Sequence, residues 1–160
     1  MVTLLASLIS VLDQITKHFV EKNVREGERV EVVKEKLYIC NVKNSGAAGG
    51  LFSDKPKLLA VLTAVSCVGI IRDFARIRKE GRMDTAYKVS LACIIGGAAG
   101  NITDRIMKKG VTDFIYFKPA KLRGEKSSKA PVFNLADVAV FVGGAIYWVK
   151  SVKSLMKKKD

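Results

Sequence analysis

Gly100-Asn101-Ile102-Thr103-Asp104-Arg105, Val111-Thr112-Asp113-Phe114-Ile115 and Phe133-Asn134-Leu135-Ala136-Asp137 follow one another between Gly100 and Asp137. An apolar run, Val89 to Gly100, leads into this stretch, and another, Val138 to Val149, leads out of it. Three carboxylates, an arginine and two asparagines are thus delivered to one region by two hydrophobic segments. Carboxylates beside long apolar segments are costly to desolvate, which makes them functional candidates. The rest of the chain reads as a scaffold that holds two of these aspartates together at the edge of a membrane.

The 160 residues are expected to form one domain, 1–160. Their hydrophobic share of 49% coexists with a net charge of +13, and the mean hydropathy is +0.16. This combination requires the charges to be segregated. Lys and Arg cluster at 22–43, 72–88, 108–129 and 150–159, with four apolar runs around and between them. Basic residues flanking apolar spans suit lipid headgroups. With no zinc-finger spacing, aromatic RNA-binding signature or helix-turn-helix pattern, nucleic acid is not expected as a partner. Cys40, Cys67 and Cys93 form no C-x-x-C, and two of them lie inside apolar runs. They predict neither a disulfide framework nor a metal cluster, and no cofactor is expected.

The apolar runs predict four membrane-spanning helices, near 2–20, 57–72, 87–107 and 134–151. The last three reach the required length of about 20 residues only when their polar ends are included. Glycines in Gly96-Gly97-Ala98-Ala99-Gly100 and Gly143-Gly144 cost roughly 1 kcal/mol each in a water-soluble helix. Between membrane helices small residues allow close approach. Asp13 and Lys17 interrupt the first run at a spacing of four, so they can pair on one helix face or turn inward and brace the site. His18, the single histidine, reads as interfacial and supports no Ser-His-Asp or Cys-His arrangement.

Residues 28–33 and 36–42 alternate imperfectly and are rich in β-branched side chains, as half-buried strands are. Val111 to Phe117 reads as strand as well. Asn44-Ser45-Gly46-Ala47-Ala48-Gly49-Gly50 follows the second strand, where glycines permit a free turn or a close approach to ligand. Pro56 suits the start of the second helix, after which the basic segment 72–88 is expected to return the chain. The 72–88 loop and the C-terminal tail carry basic residues more densely than the two longer loops, so they read as cytoplasmic. The sheet and the carboxylates then lie at the outer face.

The three aspartates have ordinary readings beside the functional one. Asn134 with Asp137 three residues later is a common helix start, and Asp104 can pair with Lys108. Asp113 has no obvious local partner. Two carboxylates sharing a proton can hydrolyse a peptide without Ser, Cys or metal. Intramembrane aspartates could instead carry an ion or proton in a small coupled membrane protein. A soluble basic binding module is the other class that the sequence leaves open.

The set Asp13-x-x-x-Lys17, Asn44-x-Gly46-Ala47-Ala48, Gly100-Asn101-x-x-Asp104-Arg105, Val111-x-Asp113-Phe114 and Phe133-Asn134-x-Ala136-Asp137 resembles the signal peptidase II family. The motifs occur in the family's order over most of the chain. The resemblance implies an α-helical protein of a bacterial cytoplasmic (inner) membrane, with four transmembrane helices and a small extracytoplasmic β-sheet, or cradle. It implies an aspartic endopeptidase that cleaves diacylated prolipoproteins before the lipidated cysteine, with membrane lipid as its other partner and a monomer as its expected state. Asp113 and Asp137 match the catalytic pair. Asn44, Gly46, Asn101, Arg105 and Asn134 match substrate-contacting positions, and Asp13, Lys17 and Asp104 are the expected structural support. One position departs: where the family usually has an aromatic after Gly-Ala-Ala, this chain has Gly49. That departure bears on closure of the cradle, and an inactive relative is the corresponding alternative.

Overall fold

A computed structural model describes residues 1–46, 55–118 and 130–156. Gly49 lies outside the described residues, so the expectation attached to it has no structural counterpart here. Four long helices carry a small sheet at one end, in the order α1 (Val2–Asn23), β1 (Arg29–Val33), β2 (Leu37–Asn44), α2 (Pro56–Lys79), α3 (Thr85–Met107), β3 (Val111–Phe117), β4 (Val132–Phe133) and α4 (Leu135–Met156).

Large apolar side chains cover the outside of the helices, and several charges lie inside. On α1 the large side chains Leu4, Leu8, Val11, Leu12, Ile15 and Phe19 are exposed. Their spacing traces one helical stripe. The opposite stripe buries Ala6, Asp13, Lys17 and Val20. Val61, Val65 and Val68 on α2, and Phe141 and Trp148 on α4, also point outward. A contiguous apolar exterior around buried charges is the arrangement a bilayer stabilises and water does not.

Four spans were expected, but only α2 and α4 among the described helices combine the length and hydropathy to cross a membrane. The reason lies in the other two sequences. α1 holds Asp13, Gln14, Lys17 and His18, and α3 holds Asn101, Asp104 and Arg105, which lower mean hydropathy. Asp13, Lys17, Asn101 and Asp104 are buried. A second difference concerns α2. It runs on to Lys79 instead of ending near Arg72, so the basic segment is largely helical and the return is short. Three basic residues, Arg76, Arg78 and Lys79, occupy the last turn of α2, where they complement the negative end of the helix dipole.

α3 is the central helix, with α1, α2 and α4 packed on it. Small residues set the closeness of that packing. A Cβ on Gly96 would stand 2.6 Å from the Ala6 carbonyl oxygen, and one on Gly143 would stand 2.7 Å from that of Ser90. A Cβ on Gly97 would collide with the Ala136 carbonyl, and one on Gly100 with the Asp13 carboxylate. At the other end of the bundle Phe74, Tyr87 and Tyr147 pack around Ile77, with ring centroids 5.4–6.4 Å apart.

The sheet is antiparallel, in the order β1-β2-β3-β4. Between β2 and β3 the register passes from Ile39 opposite Ile115 to Val42 opposite Asp113. β2 therefore carries one extra residue there, a bulge. Past it, Asn44 and Val42 share a face, which makes Asn44 a diagonal neighbour of Asp113. Phe114, on the other side of β3, packs on Val20 and Val24 and ties the sheet to the end of α1.

Candidate active site

Three element ends converge beneath β3: the C-terminal halves of α1 and α3, and the N-terminus of α4. Asn134 precedes α4 and caps it. The Asp137 backbone N–H donates to Asn134 Oδ1 at 2.9 Å, and the Asn134 backbone N–H donates to Asp137 Oδ2 at 3.2 Å. The ordinary helix start is thus formed, as a reciprocal capping box. It leaves Asp137 Oδ1 and the Asn134 Nδ2 group for other partners. Asn101 Nδ2 donates to Asp137 Oδ1 at 2.8 Å. Asn134 Nδ2 donates to Asp113 Oδ1 at 2.7 Å and to Asn101 Oδ1 at 3.2 Å.

Asp113 is buried on β3. Its second oxygen accepts from Asn44 Nδ2 at 2.9 Å. The Asn44 side-chain oxygen accepts from the Gly46 backbone N–H at 3.0 Å, so the start of the glycine-rich segment fixes the amide that touches Asp113. Burial pushes the Asp113 carboxyl from its ordinary value of 3.8 to about 6. The Asn44 amide opposes that rise and the neighbouring charge of Asp137 adds to it.

A second cluster lies deeper in the bundle. Lys17 Nζ stands 2.8 Å from Asp13 Oδ2 and 3.0 Å from Asp104 Oδ2, and all three side chains are fully buried. Asp13 and Lys17 both pair with each other and face inward. Asp13 Oδ1 accepts from the Ala136 backbone N–H at 2.9 Å, another donor at the start of α4. Asp104 Oδ2 accepts from the Thr112 N–H at 3.3 Å, linking α3 to β3. The expected Asp104–Lys108 pair is present at 3.2 Å, beside the deeper bond to Lys17. Lys17 also donates to Asn101 Oδ1 at 3.0 Å. That contact turns the Asn101 amide so that its N–H group faces Asp137.

Of the expected site residues, Asp113, Asp137, Asn44, Asn101, Asn134, Asp13, Lys17 and Asp104 lie in these two connected clusters, and Gly46 joins them only through its backbone N–H to Asn44. Arg105 stands beside them: its Nη1 is 3.5 Å from the Asn101 carbonyl, and its Nε is buried without an acceptor among the described residues. Gln14 is a participant that sequence reasoning missed. Its amide donates to Gly100 O at 3.1 Å, Asp104 Oδ1 at 3.2 Å and Asp13 Oδ2 at 3.3 Å. The available signal was an uncharged amide inside the first apolar run, next to Asp13.

Chemically, the arrangement presents two carboxylates joined through one asparagine. One is buried and inclined to hold a proton; the other sits half-buried at a helix N-terminus. Such a pair can supply both the acid and the base of a hydrolysis.

Comparison with known proteins points the same way. A family model described as signal peptidase (SPase) II matches residues 5–153. The lipoprotein signal peptidase of Halalkalibacterium halodurans is 32% identical over 158 residues, which are 98% of this chain and 94% of that protein. The lipoprotein signal peptidase of Bacillus pumilus is 31% identical over 157 residues, 98% of this chain and 96% of that one. A bacterial membrane enzyme solved by the in meso method at 2.3 Å superposes with a TM-score of 0.83 at 26% identity, covering 99% of this chain and 92% of its own. A second such enzyme, solved at 1.9 Å, gives 0.75 at 25% identity, covering 95% and 92%.

Proposed function

The chain belongs to the signal peptidase II family, and we propose from that premise that it is a membrane aspartic endopeptidase acting on diacylglyceryl-modified prolipoproteins. It removes the signal peptide by cleaving before the lipidated cysteine. The observation that carries this reading is the bridge between Asp113 and Asp137 through Asn134. The bridge holds two aspartates from distant parts of the sequence in a single hydrogen-bonded unit.

In the working mechanism Asp113 begins protonated and Asp137 ionised. Asp137 takes a proton from water as the water oxygen attacks the scissile carbonyl carbon. Asp113 gives its proton to the carbonyl oxygen as the tetrahedral intermediate forms. Collapse of the intermediate breaks the C–N bond. The proton on Asp137 passes to the leaving amine, and Asp113 regains its own. Asn101 and Asn134 hold the two carboxylates in place through this cycle, and Asn44 steadies Asp113. Asn44, Gly46, Asn101, Arg105 and Asn134 also face the substrate chain, and the free Nε–H of Arg105 is available to a substrate carbonyl. Asp13, Lys17 and Asp104 fix the helix ends on which the pair stands.

All four helices span the membrane in this reading, as one domain over 1–160 acting as a monomer. The apolar exteriors of α1, α2 and α4 support four spans, because Asp13 and Lys17 of α1 and Asp104 of α3 are enclosed. The C-terminal ends of α2 and α4 meet through Tyr147 and Asp73, at the end of the bundle away from the aspartates. That end is rich in Lys and Arg, which supports an orientation with it in the cytoplasm and the carboxylate pair at the extracytoplasmic face. The diacylglyceryl chains remain in lipid, so the scissile bond is presented at the interface. The decisive experiment is incubation of the purified protein with a diacylated prolipoprotein. A product shortened before the lipidated cysteine is expected; an uncut substrate under conditions where a family relative cuts it would overturn the reading.

A further inference from the structure

The basic end of the bundle contains a cavity that the peptidase chemistry does not use. It encloses about 200 Å³ between α2 and α4, lined by Asp73, Arg76, Arg82, Tyr147, Ser151 and Ser154 among others. The volume falls below the roughly 300–1,000 Å³ of sites for drug-sized ligands. It suits a small polar group.

The donors outnumber the acceptors that meet them. Arg82 Nη1 donates to Ser154 Oγ at 2.5 Å. Its Nε is buried and has no hydrogen-bond acceptor among the described residues. Glu80 Oε2 is 2.8 Å from that nitrogen, near enough to offset charge but out of line with the N–H. Arg76 pairs with Asp73 through one end of its guanidinium and is otherwise 67% exposed on its side chain. Asp73 is also engaged by the Tyr147 hydroxyl. Two arginine forks and two serines around a polar hollow match the oxygens of a phosphate.

The helices beside the cavity carry exposed apolar surface. Gly69 lies one turn before Asp73 on α2, and Gly144 one turn before Trp148 on α4. No atom stands within 4 Å of a Cβ built on either glycine. Val65, Val68 and Trp148 nearby are exposed. Trp148, Ser151 and Leu155 follow at spacings of three and four, so they share a face of α4.

We infer that this cavity binds the phosphate of an anionic phospholipid in the cytoplasmic leaflet, with the acyl chains lying along the open strip beside Gly69 and Gly144. A free phosphate would engage the same arginines and serines. The apolar strip favours the lipid, as basic pockets at cytoplasmic helix ends do generally. The assignment to the cytoplasmic leaflet rests on the orientation proposed above; the binding itself does not depend on peptidase activity.

Trp148 is the chain's only tryptophan, so its fluorescence reports on the site alone. The full-length protein in phosphatidylcholine nanodiscs would be titrated with dibrominated phosphatidylglycerol, and separately with dibrominated phosphatidylcholine. Quenching by the anionic lipid is expected at a clearly lower mole fraction. Arg82→Gln and Arg76→Gln should each weaken that preference about fivefold, and Glu80→Gln should strengthen it. Cleavage of a diacylated prolipoprotein by the Arg variants should persist, so failure of the lipid site and failure of the peptidase reading remain separable. Equal quenching by both lipids, or a preference that survives both arginine changes, would overturn the inference. So would inorganic phosphate alone raising the melting temperature through Arg82 while the anionic lipid shows no preference.

Discussion

The Nδ2 group of Asn134 lies 2.7 Å from Oδ1 of Asp113, across a gap of twenty-one positions in the chain. The same residue caps α4 and accepts the Asp137 backbone N–H. One asparagine therefore sets where a helix begins and where a carboxylate on a separate strand points.

That dual role can be split by mutation. Asn134→Ser keeps a capping oxygen but loses the amide that reaches Asp113, whereas Asn134→Ala loses both. Both variants should lose most cleavage activity. Only the alanine should lose about 1 kcal/mol more stability for want of a cap. Thermal unfolding in detergent beside kcat on a diacylated substrate checks this. Normal turnover by the serine variant would remove Asn134 from the machinery.

Asp113→Asn and Asp137→Asn each remove a titrating group at nearly constant volume. A rate loss of roughly 10²–10⁴ is expected for either, the usual worth of a positioned acid or base. Folding should be retained, as judged by gel filtration and helical circular dichroism. Asp104→Asn should keep partial activity, because its amide can still accept from the Thr112 N–H.

The raised Asp113 value fixes the sign of a pH effect. Folded, this group keeps its proton up to about pH 6; unfolded, it releases it near 3.8. The folded chain thus binds more protons across that window. The contribution is intact below pH 3.8 and is lost as pH rises towards 6, by about 3 kcal/mol for a shift of about two units. Comparing wild type with Asp113→Asn by denaturant titration across pH 4–7 isolates it, since the variant should lack this slope. Activity of the free enzyme should fall on the alkaline side as the pair loses its shared proton.

Lys17 faces Asp13, Asp104 and Asn101 with no exposure to solvent. Lys17→Met would leave two buried carboxylates without their cation and should destabilise the protein by about 3–5 kcal/mol. Asp13→Asn combined with Lys17→Met should recover part of that stability but not full turnover, because Asn101 would still lack the contact that orients it.

Orientation is open to reporter fusions. A fusion after Lys79 should report cytoplasm and one near Lys36 the outside. The same side at both positions would break the four-span arrangement.

Several features were legible in the sequence because they depend on local pattern. The apolar runs marked four helices, Pro56 marked a helix start, and Asn134 with Asp137 marked a cap. The spacing of Asp13 and Lys17 is short enough for one helix to impose their pairing. Motif resemblance supplied the family, and with it the catalytic roles proposed for the two aspartates. The length of α2 was misread because a run of Arg and Lys looks like a loop when hydropathy is the guide. Those residues instead complete the last turns of the helix, where the dipole favours them.

What the tertiary structure decided is which polar groups meet. Asp113 has no neighbour in sequence that satisfies it; Asn44 reaches it because a one-residue bulge in β2 resets the face on which Asn44 lies. Lys17 meets Asp104 and Asn101 because Gly100 and Gly96 let α1 and α3 approach to within a side-chain's width. Gln14, plain in the sequence, gains its place only when α3 brings the Gly100 carbonyl opposite it. Hydropathy and spacing are properties of single segments and survive in a one-dimensional reading. A desolvated charge must be satisfied by whatever the fold places within about 3 Å, and that depends on the closest approach of segments far apart in the chain.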